Sequence, residues 1–527
     1  MGNNKENQEV RRSAGAMAVG TLGSRILGLV RDIVLAALFP NFVKDAFVVA
    51  FRLPNLFRRL LGEGSLSVSF IPVYVDQNET SGIESGQALA GAIWCILMMV
   101  TSILSVLGIL FMPQIIELLV PGKQYQAIVG KVDLTILLAR VMFLYLFLVT
   151  SYAFLMAICQ SHKKFFLPAL APAFFNLMVI LFAVVPNEIV GTQGLQLALG
   201  VVFGGGVQAA IVIWQLRKIK KLPRPHLNLK TPGLKKVLIN MLPGMAGLGV
   251  IQFIGIINVI FASQLEQGSH TYIYFADRIL ELPMSLIAIS LGAALLPQLS
   301  AQWARGDVQQ MHFTALSQMK LLFFLSIPCA IGMYLLAEPI VVMLFKRGEF
   351  NSTDVEQTMR VIQIYSYMLL ASSMVRVLAP SFYAIKNTWY PALVSAICVL
   401  VHMVLASQWV DQWGLQGIVY SLVVTGFVNA SLLLAGYFRF IGKFPIFDLI
   451  TYWLKLIVPS VVMVGVLLGI LHFVNLLQVE LRFLSAFIIV IIGGGLSVLA
   501  YSAMAYVFKS EEVVQIVTLF RRKLLRK

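Results

Sequence analysis

Six arginines carry the chemistry open to this sequence: Arg25, Arg31, Arg52, Arg58, Arg59 and Arg278, all set in largely apolar surroundings. A guanidinium stays charged on burial and presents a planar fork that binds phosphate or carboxylate with two hydrogen bonds, whereas a buried lysine loses its proton more readily. Five carboxylates are interleaved with them: Asp32, Asp45, Glu63, Asp277 and Glu281. A charge at membrane depth costs roughly 2.5–3.5 kcal/mol on the insertion scale, so the group implies a water-filled chamber, an anionic ligand, or both. The carboxylates would hold the arginines in the absence of ligand and release them on binding. The competing reading is a set of structural ion pairs that fix helix packing, with Arg31 paired to its neighbour Asp32 and with Arg58 and Arg59 snorkelling to an interface.

Spacing sorts these residues onto faces. Arg25 and Asp32 are seven apart and share one helix face, with Arg31 about a third of a turn away. Asp45, Arg52, Arg59 and Glu63 are spaced 7, 7 and 4 and form one stripe, flanked by Arg58. Pro54 removes a backbone donor inside that stretch, and Gly62 and Gly64 bracket Glu63, so the wall they form is expected to bend. In "YFADRILELP", Asp277, Arg278 and Glu281 lie within about 100° of arc. No HExxH, CxxC, GxSxG or P-loop pattern is present, and no metal, cofactor or catalytic centre is expected. Asn176, Asn258 and His402 lie within apolar spans, where interhelical hydrogen bonding accounts for each. Cys95, Cys159, Cys329 and Cys398 read as small packing residues.

The elements that position these side chains follow from composition. The 527 residues are 59% hydrophobic and 12% charged, against about 25% charged in a soluble domain. Apolar runs long enough to cross a hydrocarbon core of roughly 30 Å recur throughout, and they are continuous rather than alternating. An all-α polytopic membrane protein of about fourteen spans is expected, near 14–39, 45–75, 86–112, 133–160, 165–186, 194–216, 237–264, 270–303, 316–345, 354–385, 389–408, 413–438, 449–475 and 483–508. The net charge of +16 gathers in short connections rather than in a nucleic-acid-binding patch. With both termini in the cytoplasm, roughly 23 Lys and Arg fall inside and roughly 6 outside, as the positive-inside rule requires. The largest contributor is the loop Arg217 to Lys236, read as a topology determinant in contact with anionic lipid, with a dedicated partner site as the alternative. Residues 1–13 carry no cleavable apolar core.

Three short matches recur in order at offsets of 220, 223 and 225: "GLQLALG" with "GLQGIVY", "FFLPALAPA" with "TWYPALVSA", and "SVSFIPVY" with "GAALLPQL". They divide the chain into an N-lobe of six spans (1–217), the basic loop (218–236), a C-lobe of six spans (237–440) and a final pair of spans with a basic tail (441–527). Repeated halves around a central site are a transporter arrangement. The residues alone therefore point to a transporter of a large anionic amphiphile. An exporter of a drug or a lipid-linked glycan, a membrane enzyme acting on a polyprenyl-linked sugar, and a non-transporting scaffold remain alternatives. The enzyme is disfavoured by connections no longer than about 25 residues, and a cationic drug by the arginines.

The stretches "SRILGLVRD" (Ser24 to Asp32), "DAFVVAFRLPNLFRRLLGEGSLSVSFIP" (Asp45 to Pro72), "YFADRILELP" (Tyr274 to Pro283) and "LAPSFYA" (Leu378 to Ala384) resemble the MurJ (MviN) family of bacterial lipid II flippases along essentially the whole chain. The resemblance implies two six-helix lobes around a central cavity, the fold of the multidrug/oligosaccharidyl-lipid/polysaccharide exporter superfamily, with a groove for the polyprenyl tail on the last two helices. It implies lipid II as substrate, carried from the cytoplasmic to the outer leaflet of the inner membrane for peptidoglycan synthesis, with membrane lipids and the cell-wall synthesis machinery as partners. It also implies activity roles for Arg25, Arg31, Arg58, Arg59 and Arg278, with Arg52 a further basic member, and for the charges at Asp32, Asp45, Glu63, Asp277 and Glu281. Some members resemble sodium-coupled transporters. Here the corresponding helices carry Asn258 and His402 and no carboxylate, so a sodium site is not expected.

Overall fold

In a computed structural model the chain is described over residues 2–62, 65–291 and 295–513, with the side chains of 2–19, 61–62, 65, 67–68, 243–248, 250–251 and 286–291 outside the description. Every regular element among the described residues is a helix. Helices satisfy their own backbone donors and acceptors within one segment, which lipid demands. The chain forms two compact units, Met1–Thr271 and Tyr272–Lys527.

The first unit contains α1 (Gly2–Leu38), α2 (Asn41–Gly62), α3 (Ser65–Thr80), α4 (Ile83–Leu110), α5 (Met112–Leu119), α6 (Lys123–Gln126), α7 (Lys131–Ser161), α8 (Phe166–Ala183), α9 (Asn187–Val190), α10 (Leu195–Lys218) and α11 (Leu234–Ala262). Helix α7 is largely buried, with one exposed stripe at Asp133, Leu137, Arg140 and Leu144, and α2, α3, α4 and α10 pack on it. Helix α8 lies between α1 and α10. Helix α2 continues through Pro54 to Gly62, and α3 is described from Ser65, so Glu63 lies outside the described residues. Helix α11 packs on α2, α3 and α5 of this unit, although the repeat groups its stretch with the C-lobe.

The division between units falls in the first turn of α12 (Ser269–Leu291). The second unit continues with α13 (Leu295–Ala304), α14 (Val308–Leu335), α15 (Ala337–Phe345), α16 (Ser352–Ser366), α17 (Met368–Ala384), α18 (Trp389–Trp413), α19 (Leu415–Phe440), α20 (Ile446–Leu476), α21 (Phe483–Ile488) and α22 (Gly494–Val507). Similar contacts occur in each unit: α10 packs on α7 and α8, and α19 on α17 and α18. Gly194 and Gly414, which begin the "GLQ" matches, both sit at positive φ immediately before α10 and α19. Helices α20 and α22 pack on each other and on α14, and they leave Val461, Leu468, Leu496 and Leu499 exposed. So large an apolar surface suits lipid rather than water.

Among the described residues ten helical segments are long and apolar enough to cross a membrane. The other four expected spans fall on α1, on α2 with α3, on α11, and on α12 with α13. Three of these four carry the arginines.

Candidate functional site

The stripe on α2 begins in a sealed polar knot. Asp45 is fully buried. Its Oδ2 accepts from Lys131 Nζ at 2.8 Å and from Gly268 N at 2.7 Å, and its Oδ1 accepts from Thr271 N at 3.1 Å and Thr271 Oγ1 at 2.7 Å. A carboxylate offers about four acceptor directions, and four donors fill them. Gly268 and Thr271 flank the start of α12, where backbone N–H groups lack helical partners and the helix dipole favours a negative charge. Lys131, which opens α7, also lies 4.3 Å from the Tyr125 ring centroid. Burial pushes the Tyr125 phenol up, and its hydroxyl bonds Thr135 at 2.7 Å. Nearby, Gly122 N donates to Ser263 Oγ at 3.0 Å and joins α6 to the end of α11. Asp45 is thus built into the packing.

A second sealed group lies between α1 and α8. Arg31 donates to Asp32 Oδ1 from Nη2 at 2.7 Å and from Nε at 3.0 Å. Its Nη1 reaches Asn176 Oδ1 at 3.1 Å, and Asn176 Nδ2 donates to Ser24 O at 3.1 Å. Asp32 is fully buried and Arg31 is 7% exposed. The adjacent pairing weighed at the sequence level is therefore present, and Asn176 makes the interhelical bond expected of it. Arg25 stands apart: it is exposed, with no ion pair among the described residues.

Further along the stripe, the guanidinium of Arg52 abuts Gly255 of α11. A Cβ on Gly255 would stand 0.9 Å from Arg52 Nη2 and 2.2 Å from its Cζ, so a side chain there would displace the guanidinium. Arg58 donates from Nε to Asn55 Oδ1 at 3.0 Å. Arg59 is half-buried, and its Nε has no hydrogen-bond partner among the described residues.

Helix α12 carries the open charges. Arg278 donates from Nη1 to Glu281 Oε2 at 2.9 Å and from Nη2 to the Tyr274 hydroxyl at 3.3 Å, one turn to either side on its own helix. Its side chain is 28% exposed and that of Glu281 is 52% exposed. Asp277 beside it is half-buried. Six residues before Arg278, the Tyr272 hydroxyl donates to Asp354 Oδ1 of α16 at 2.7 Å and anchors the helix. The arrangement can offer a guanidinium to an anion by releasing Glu281, with little repacking.

Spacing brought Asp45, Arg52 and Arg59 to one helix face, but it could not show that Asp45 is saturated. Its partner Lys131 lies 86 residues away and is itself buried. Two further cations escaped notice. Lys44 is fully buried beside Asp45 in sequence. Arg376 sits midway along α17, with its Nε buried and lacking a hydrogen-bond acceptor among the described residues. A lone cation in an apolar run marks Arg376 as it marked the others. His402 bonds Ser421 across α18 and α19 through Nδ1 at 3.0 Å, a packing role.

Comparison with known proteins adds identity to this geometry. A family model described as lipid II flippase MurJ matches residues 34–508. A probable lipid II flippase MurJ from Bdellovibrio bacteriovorus is 40% identical over 517 residues, covering 97% of each chain. A lipid II flippase MurJ solved in an inward closed conformation shares the fold, with TM-score 0.76 and 24% identity, covering 93% of this chain and 98% of that one. A multidrug resistance MATE family transporter of the MOP superfamily, in an inward-facing conformation, shares it at TM-score 0.66 and 17% identity, covering 79% of this chain and 94% of that one.

Proposed function

The chain belongs to the MurJ family of lipid II flippases, and from that premise we propose that it takes lipid II by its pyrophosphate and carries it from the cytoplasmic to the outer leaflet by alternating access. It is a multi-pass membrane transporter rather than an enzyme. The observation that carries this reading is the 40% identity to a lipid II flippase along 97% of both chains.

The side-chain geometry supports a division of labour. Arg278 is the pyrophosphate contact we assign first, because it is part-exposed and its ion pair with Glu281 is local and exchangeable. An arriving pyrophosphate repels Glu281 and offers two oxygens to the guanidinium fork, an exchange of one charge-assisted bond set for a stronger one. Arg25 is a second cation open to an anion. Arg52, Arg58 and Arg59 extend the positive field along α2, whereas Arg31 with Asp32, and Asp45 with Lys131, hold the helices that carry them. Bound anion drives a change of state only through a difference in its affinity for the two states. Both termini are assigned to the cytoplasm on the distribution of Lys and Arg.

The test is leaflet accessibility of lipid II after acute depletion of this protein. Lipid II is expected to stop reaching the outer leaflet and to resume when the wild-type chain is restored, but not when Arg278→Ala is supplied. Continued arrival of lipid II after depletion would overturn the reading.

A further inference from the structure

The basic loop after α10 is a built element. Residues 219–233 run along α3 and α4 without helix or strand. Gln87 Nε2 of α4 donates to Lys221 O at 3.4 Å, and His226 N donates to Gly91 O at 3.5 Å. The loop lies so close to α4 that a Cβ on Gly91 would stand 2.2 Å from Arg224 O. Thr231, which is buried, closes a turn by donating from Oγ1 to Asn228 O at 2.7 Å. A segment needed only to set topology by its charge requires none of this.

The loop, the end of α3 and the start of α11 enclose a cleft of about 590 Å³. Three lysines line it, Lys230, Lys235 and Lys236, against one carboxylate, Asp76. Leu229 and Ile239 line it too, and they are 74% and 52% exposed. The cleft is therefore two-sided in chemistry, cationic in one part and apolar where it opens outward. It also lies where the expected spans end at 75 and resume at 237, at the level of the lipid headgroups.

We propose that this cleft is a binding site for the phosphate headgroup of an anionic phospholipid of the leaflet on the basic side, with the phosphate on the three lysines and the first methylenes of the acyl chains on Leu229 and Ile239. A freely diffusing phosphate would meet the same lysines, but it would leave Leu229 and Ile239 in water. A lipid covers both. Each lysine at a membrane surface contributes on the order of a few-fold in affinity for anionic lipid, and three together about a hundredfold. Occupancy would fasten the loop to α3 and α11, which carries Gly255 and so seats Arg52.

The experiment is thermal unfolding of the full-length protein in a neutral detergent, titrated with short-chain phosphatidylglycerol, short-chain phosphatidylcholine or inorganic phosphate. Wild type is expected to give a saturable upward shift with phosphatidylglycerol alone. The triple variant Lys230→Gln/Lys235→Gln/Lys236→Gln is expected to keep the lipid-free unfolding temperature and to need about a hundredfold more phosphatidylglycerol for half of the shift. Leu229→Asn with Ile239→Asn is expected to weaken the response about tenfold with the lysines intact. An unchanged response in the triple variant would overturn the site, as would an equal response to phosphatidylcholine. An equal, lysine-dependent response to inorganic phosphate would overturn the lipid as its ligand.

Discussion

Asp45 of α2 and the Arg31–Asp32 pair of α1 use the same residue types as Arg278 and Glu281 of α12, yet the first two are buried and tied to other helices whereas the last pair is part-exposed. Asp45 binds groups 86 and 226 positions away, and Arg31 reaches Asn176 across 145 positions. Arg278 bonds Tyr274 and Glu281, one turn to either side on its own helix. A buried pair with distant partners costs about 3–5 kcal/mol to break, because one charge is left stranded. A part-exposed pair at i and i+3 is worth only about 0.3–0.5 kcal/mol. The first kind holds helices together; the second can be given up to a ligand. Charge in a membrane helix therefore does not by itself mark a site: burial and bonds to other helices mark scaffold, and exposure marks a charge that a ligand can take.

The most damaging substitution on this view is Asp45→Ala. It strands Lys131 in the interior and removes the acceptor for Gly268 and Thr271, so a loss of about 3–5 kcal/mol is expected. Such a loss lowers the amount of folded protein several-fold, and flipping falls with it. Membrane abundance and thermal unfolding measure both. Near-normal abundance in Asp45→Ala would break the contrast, since the best-sealed charge would then be dispensable to folding.

Arg278→Ala comes next and should behave in the opposite manner. Flipping is expected to fall at least tenfold, while the unfolding temperature stays within about 2 °C of wild type, as for a substitution outside the packed core. Lipid II translocation normalised to protein amount separates the two effects. A large drop in stability would place Arg278 with the scaffold instead.

Gly255→Ala tests the intermediate case, Arg52. Alanine favours a helix interior by about 1 kcal/mol, but its Cβ would occupy the place of the guanidinium, and overpacking costs about 1–3 kcal/mol. Stability should therefore change little, with a modest fall in flipping as Arg52 is displaced. If the effect runs through Arg52, Gly255→Ala added to Arg52→Gln brings no further loss in a double-mutant cycle. Additive losses would mean that Gly255 matters for another reason.

Much of this was legible before any coordinates. Continuous apolar runs dictated helices. Periodicity placed Asp45, Arg52 and Arg59 on one face because a helix face is a local property. It could not reveal that Lys131 closes on Asp45, or that Gly255 seats Arg52, because those contacts are set by how distant segments dock. The same limit hid the grouping of α11 with the first unit: the repeat pairs α11 with α1, but its docking partners are α2, α3 and α5. Arg376 is a different omission, since a cation in the middle of an apolar run was in plain view.

The smallest expected effect belongs to Arg482, and it sets the far end of the comparison. Arg482 donates to Glu480 from Nε at 2.8 Å, and the side chains are 77% and 71% exposed. By distance alone this pair equals Arg278 with Glu281. The hydrogen bonds and charge of Arg482 hold the Glu480 carboxyl below its ordinary value. A carboxyl depressed in the folded state adds stability only above its unfolded pKa, and that contribution is lost as pH falls through the folded value. At neutral pH the contribution is present but screened by water. Arg482→Gln should therefore move the Glu480 titration up towards the ordinary carboxylate value, seen by carboxyl NMR, with flipping and unfolding temperature at pH 7 unchanged. A loss of flipping comparable to that of Arg278→Ala would mean that any exposed arginine matters, and that a local, exchangeable partner is not what fits Arg278 to an anion.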